Sequence, residues 1–169
     1  MMRSFRQMVA EMPELGGLNK KHEDDRLGKP PSPVTVLSKH PSGLVIATNQ
    51  RHDAFFAMDP KTREIELELD CDGSATDKYI RVYMISAAGN NRIPAVEFYR
   101  HLIMNLGYTI ASSTTQTGGG AKVWRDLSHY AGIEIKHVGG TYDPTDWFSM
   151  YGNSLTWFEA SKRKYRGRR

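Results

Sequence analysis

The chain has 169 residues, 39% hydrophobic and 25% charged, with a net charge of +4. That composition suits one soluble domain with a core of useful size. No apolar run approaches the ~20 residues of a membrane span, and the N-terminus MMRSFRQMVAEMPELGG has no apolar h-region, so neither a spanning helix nor a secretory signal is expected. A single cysteine, Cys71, excludes an internal disulfide and implies a reducing, cytoplasmic setting; beside Asp70 and Asp72 it has no neighbour that stabilises a thiolate.

Residues 1–33 read as an arm. Phe5, Met8, Val9 and Met12 recur at helical spacing before Pro13, and GGLNKKHEDDRLGKPPSP is a polar, turn-rich linker. From Val34 the texture changes to a domain spanning 34–140. VTVL and LVIAT are short strands around the turn HPSG. AFFAM, DPKT and REIELEL form a β-hairpin with Pro60 in the turn. In its second strand Ile65, Leu67 and Leu69 alternate with Glu64, Glu66 and Glu68, which predicts one apolar face and one wet acidic face. DCDGSATDK is a loop. KYIRVYMISA alternates less strictly and reads as a central strand.

Pro94 then suits a helix start, and Val96, Tyr99, Leu102, Ile103 and Leu106 mark an amphipathic helix stopped by Gly107. YTIASS is a strand. Gly118, Gly119 and Gly120 precede a helix carrying Trp124, Leu127 and Ala131 on one face and closed by Gly132. They lack the Gly-Lys-Ser/Thr ending of a P-loop; they either hold an anion or let the helix pack tightly on the sheet. IEIKHV is the next strand. Beyond it, 141–169 forms an appended aromatic segment and basic tail. Trp147, Tyr151, Ser154 and Phe158 follow helical spacing, as a docked helix would; the aromatics Trp147, Phe148, Tyr151, Trp157 and Phe158 also suit base stacking beside basic residues.

The last eight residues, KRKYRGRR, hold Lys162, Arg163, Lys164, Arg166, Arg168 and Arg169, and without these six cations the net charge of +4 becomes slightly negative. Such a tail suits nucleic acid through counterion release, or serves as a solubilising end. His22, His40, His52, His101, His129 and His137 show no ligand spacing such as HExxH, so no metal is expected. No G-x-S-x-G elbow supports a serine nucleophile.

Strands followed by strand–helix–strand–helix–strand predict an α/β (α+β) class, with a mixed, mostly antiparallel central sheet flanked by helices. Two stretches add a resemblance. RVYMISAAGNNRIPAVEFYRHLIMNLGY resembles the fourth strand, acyl-CoA pyrophosphate loop and third helix of the GNAT (GCN5-related) N-acetyltransferases. IASSTTQTGGGAKVWRDLSHYAGIEIKHV resembles the strand, Gly-Gly loop, Trp-bearing helix and strand of small GNAT-like proteins often encoded by bacteriophages. Together they span Lys78 to Val138.

The resemblance implies acetyl-CoA as cofactor and an amine of unknown identity as acceptor. It places cofactor contacts at Ile85, Ala87, Gly89, Asn90, Asn91, Arg92, Ile93 and Ala95. It puts a general-acid tyrosine near Tyr130 and a base at Glu66 or Glu68 across the sheet. The family's Arg/Gln-x-x-Gly-x-Gly/Ala loop reads here Asn90-Asn91-Arg92-Ile93-Pro94-Ala95. Ile93 replaces a glycine and Pro94 removes an N–H, which makes a poorer phosphate cradle; Gly89 and Arg92 are the residues that would compensate. The alternative is a GNAT-like domain without catalysis, binding nucleic acid or a protein complex in a phage particle or infected host.

Overall fold

The computed structural model describes residues 26–31, 33–112, 118–138 and 157–164. Among them run strands β1 (Val34–Lys39), β2 (Val45–Asn49), β3 (Ala54–Met58), β4 (Ile65–Cys71) and β5 (Tyr79–Ala87), then helix α1 (Ala95–Met104) and β6 (Thr109–Ala111). Helix α2 (Gly118–Leu127), β7 (Ile133–Val138) and β8 (Trp157–Lys162) follow. One sheet takes the order β1-β2-β3-β4-β5-β6-β8-β7. Every described pairing is antiparallel except β5 with β6, so the class is mixed α/β with a mostly antiparallel sheet, as the element order implies.

The two helices cover one face. Leu44, Ile46, Phe55, Leu67, Leu69, Ile80 and Val82 meet Phe98, Leu102 and Ile103 of α1 and Trp124 and Leu127 of α2 in a single buried cluster. Trp124 lies between Tyr99 and Phe158, 6.1 and 5.8 Å between ring centroids. The opposite face carries a smaller cluster of Val45, Ala47, Phe56, Met58 and Ile65, against which Leu27 and Val34 pack. Local chemistry explains the ends of the elements. Asp59 accepts the N–H groups of Lys61 and Thr62 in the β3–β4 turn, and Arg63 closes that turn at φ +63°. At the end of α1, Gly107 at φ +75° lets its own N–H reach Ile103 and that of Tyr108 reach Leu102.

Several expectations change. Ile65 does not share a face with Leu67 and Leu69, because a bulge at Glu66 turns it to the opposite cluster. The acidic face is accordingly less wet than alternation implied: the Glu66 side chain is 14% exposed. β5 is central, between β4 and β6, as expected, but its broken alternation reflects a second bulge, with Met84 opposite Asp70 and Val82 opposite Cys71. Gly118 to Gly120 form the first turn of α2 instead of preceding it, and that helix stops at Leu127, so Ala131 lies outside it and is exposed.

The segment expected to be appended from residue 141 supplies β8, which stands between β6 and β7. Phe158 is therefore a buried strand residue under Trp124, neither part of a helix nor a stacking platform for bases. Trp147, Tyr151 and Ser154 lie outside the described residues, as do residues 1–25 and 165–169. The end of the N-terminal arm is docked: Pro30 is buried and the Gly28 carbonyl accepts the Ile65 N–H at 2.9 Å. Among the described residues, no helix is long and apolar enough to cross a membrane.

Candidate functional site

The most unusual feature of the sheet is its one parallel step. β5 pairs with β6 only over Tyr79, Ile80 and Arg81, yet runs on to Ala87 beside β4. The bulge at Tyr83 falls where pairing with β6 ends, and a bulge bends its strand and increases its twist. β6 ends at Ala111, and among the described residues no strand pairs with that side of β5 beyond Arg81, which leaves an opening there. The Ala88 N–H donates to the Glu66 carbonyl at 2.8 Å, so peptide groups of the same parity point toward β4. Those of Ile85 and Ala87 then point into the opening. Tyr83 and Met84 stand exposed beside it, at 69% and 48%.

The loop after β5 leads into α1. Ile93 is buried in the helix-side core, Pro94 and Gly89 are exposed, and the Asn91 amide donates to the Ile93 carbonyl at 2.6 Å. Asn90 is exposed, and Ala95 is the first residue of α1. Arg92 is committed within the protein. Its backbone N–H and Nε donate to the two oxygens of Glu66 at 2.6 and 2.7 Å, and its terminal nitrogen donates to Asp59 at 2.5 Å. The turn amide of Thr62, then Arg92 and the Lys61 amide, hold the Asp59 carboxyl down at about 2; Asp59 and Glu66 hold the guanidinium above its ordinary value.

Glu68 stands elsewhere. Opposite Ser86 of β5 and Phe56 of β3, it points away from the helices. Burial, then the charge of Asp70, raises its pKa; burial, then Asp53, does the same for Asp70. Cys71 is pushed up to about 12 by burial, Asp53 and Asp70, so it carries no thiolate at neutral pH. Tyr130 lies on the helix side, in the turn after α2 rather than in the helix. With Val96, Asp126 and His129 it lines an open depression of about 340 Å³, and the Arg100 guanidinium sits 5.3 Å from its ring centre. These three candidate acids and bases thus stand apart: Glu66 with Arg92, Glu68 on β4 one strand from the opening, and Tyr130 on the other face.

Sequence reasoning missed a half-buried polar cluster between the β1–β2 turn and α1. His40 pairs with Ser42 at 2.8 Å and Glu97 at 3.2 Å, His101 pairs with Ser38 at 2.7 Å, and the two imidazoles meet edge-on at 5.1 Å. These partners lie 57 and 63 residues apart along the chain, so no local motif announces them. A hydroxyl–imidazole–carboxylate chain can in principle activate a serine. Here the turn spends its own amides: Ser42 N–H on His40, Gly43 N–H on the His40 carbonyl, and Leu44 N–H on Ser42. None of these is left for an oxyanion, and the chain acts as a lock that pins the turn to α1.

Lys162, Arg163 and Lys164 are exposed, but Lys162 belongs to β8 opposite Ile133, and the Arg163 N–H donates to the Gly132 carbonyl at 2.7 Å. Arg166, Arg168 and Arg169 lie outside the described residues. Among the described residues no cluster of His, Cys, Asp or Glu could hold a metal ion. Comparison of the chain with protein families, with curated proteins and with solved structures finds no match.

Proposed function

We propose that the chain is a GNAT-like, acyl-CoA-dependent N-acyltransferase acting on an amine. The observation that carries the reading is the opening where β5 runs on past the end of β6: a parallel step among otherwise antiparallel described pairings, with a bulge at Tyr83 and peptide groups of Ile85 and Ala87 facing the gap. The strand and helix order from β4 onward also agrees with the family resemblance. Acyl-CoA, when bound, supplies a thioester whose acyl carbon passes from sulfur to the amine nitrogen. The strand edge suits the amide-bearing arm of such a cofactor, since it offers N–H and C=O groups in a row. The loop suits its pyrophosphate less well, because Glu66 already takes the Arg92 donors, Ile93 is core and Pro94 has no N–H.

The chain's own groups divide the work by face. Glu68, with its raised pKa and its place one strand from the gap, takes a proton from the acceptor ammonium. It replaces Glu66, whose carboxylate is bound to Arg92, as the candidate base. The Ile85 or Ala87 N–H would stabilise charge growing on the acyl oxygen. Tyr130 and the depression it lines between α1 and α2 lie on the helix side, on the face opposite Glu68.

Calorimetric titration of acetyl-CoA and CoA into the wild type and Pro94→Gly tests the reading. Pro94 is exposed, so the variant returns an N–H without emptying the core. Micromolar binding by either protein supports it; silence from both, and from a folded Glu66→Ala variant that frees the Arg92 donors, removes it.

A second reading, a non-catalytic binding module, is favoured by the commitment of Arg92 and by the exposed Lys162, Arg163 and Lys164. Deleting 165–169 keeps every described strand and removes Arg166, Arg168 and Arg169. Salt-dependent DNA binding that weakens on this deletion, with a shallower salt slope, supports that reading; binding unchanged by it argues against the tail.

A further inference from the structure

We propose that Glu66 is a built-in anion that holds the β5–α1 loop shut, occupying the seat that a phosphoryl group of a diphosphate ligand would take. The inference rests on the acyl-CoA reading for the identity of that ligand, not for the existence of the seat.

The seat is defined by two donors of one residue. The Arg92 backbone N–H and Nε converge on the two oxygens of a single carboxylate at 2.6 and 2.7 Å. That is the paired-donor geometry with which guanidinium and amide groups grip either a carboxylate or a phosphate. Glu66 reaches it because the β4 bulge lifts its side chain out of the regular alternation. Asp59 takes a further guanidinium donor, so one cation faces two carboxylates and an incoming diphosphate meets net negative charge. The diphosphate gains the Arg92 donors only by displacing Glu66. Fixed anion and ligand therefore compete for the same two N–H groups.

Removing the competitor has a calculable consequence. A hydrogen bond to a charged group carries enough free energy that freeing the pair corresponds to about ten- to hundredfold tighter binding of a diphosphate. Glu66→Gln keeps an acceptor for one donor but removes the charge, so it gives a smaller gain than Glu66→Ala. Arg92→Ala placed on Glu66→Ala abolishes the gain, because the donors are gone.

The experiment titrates inorganic pyrophosphate into wild type, Glu66→Gln, Glu66→Ala and Glu66→Ala/Arg92→Ala. Calorimetry gives the affinity, and ¹H–¹⁵N spectra follow the Arg92 amide; thermal melts check each fold. Acetyl-CoA is then titrated into the same proteins. Tighter pyrophosphate binding in both single variants, with the Arg92 amide shifting and the gain lost in the double variant, is the expected result. Equal pyrophosphate affinity in wild type and the single variants, including no binding at all, overturns the inference. So does a gain that survives in the double variant, since that is only a general effect of charge. If Glu66→Ala fails to fold, the nearly isosteric Glu66→Gln still decides between gain and none. A pyrophosphate gain without acetyl-CoA binding in any variant keeps the latch and discards the acyl-CoA reading.

Discussion

Replacing Ile93 by glycine looks from the sequence like a repair of the phosphate loop; the structure makes it a core deletion. Ile93 is 4% exposed and packs with Phe98, Leu102 and Ile103 against the helix side of the sheet. Burying such a side chain is worth about 1.5–3 kcal/mol, and truncating it to alanine costs about 2–5 kcal/mol once the cavity is counted. Glycine adds about 0.4–1 kcal/mol through the unfolded chain. Ile93→Gly is thus expected to lose about 2.5–6 kcal/mol, a large share of the 5–15 kcal/mol typical of a domain. Urea unfolding measures it as a lower midpoint at unchanged slope. A loss below about 1 kcal/mol would refute the assignment of Ile93 to the core. The loop would then be free to rearrange around a ligand, and Pro94→Gly would no longer be the safer probe.

Two further outcomes follow from the same geometry. Burial, then His40, lowers the pKa of His101, so below the ordinary histidine value of about 6.5 the unfolded chain binds the proton more readily than the folded one. Stability is full above that value and falls as pH drops toward the folded pKa; in His101→Asn this part of the pH dependence is expected to vanish, as urea midpoints between pH 7.5 and 5 would register. Arg63 sits at φ +63° in an exposed turn, so Arg63→Gly is expected to raise stability by about 1 kcal/mol, and a lowered melting temperature would contradict the strain argument.

Much of the fold was legible because its cues are local. Pro60 and the Asp59 turn announced the hairpin, Gly107 the end of α1, and the apolar spacing of Tyr99, Leu102 and Ile103 its buried face. What escaped depends on pairing between distant residues. Bulges at Glu66 and Tyr83 are set by how neighbouring strands register, and a one-residue slip reverses every face beyond it. WFEASK ran into a basic tail, so its apolar members at Phe158 and Ala160 gave too short an alternation to mark a strand beneath Trp124. At the site, the order of loop and helix could be read, but the capture of Arg92 by residues 26 and 33 positions away could not.

The bulge at Tyr83 also decides whether the gap in the sheet is real in solution. On β5 the Ala88 N–H is bound to the Glu66 carbonyl at 2.8 Å, and Ser86 shares its parity opposite Glu68. The Ile85 and Ala87 amides have the opposite parity and face a side with no described partner strand. Native-state hydrogen exchange should therefore alternate along one strand: slow at Ser86 and Ala88, fast at Ile85 and Ala87. All four amides ride on the same backbone, so a frayed strand would speed them together, and a gap filled by another segment would protect them together. Only an opening on one edge produces the alternation. Acetyl-CoA, if the arm binds there, should then slow Ile85 and Ala87 while leaving Ser86 and Ala88 unchanged. Uniform protection in the free protein would close the gap and remove the observation on which the acyltransferase reading stands.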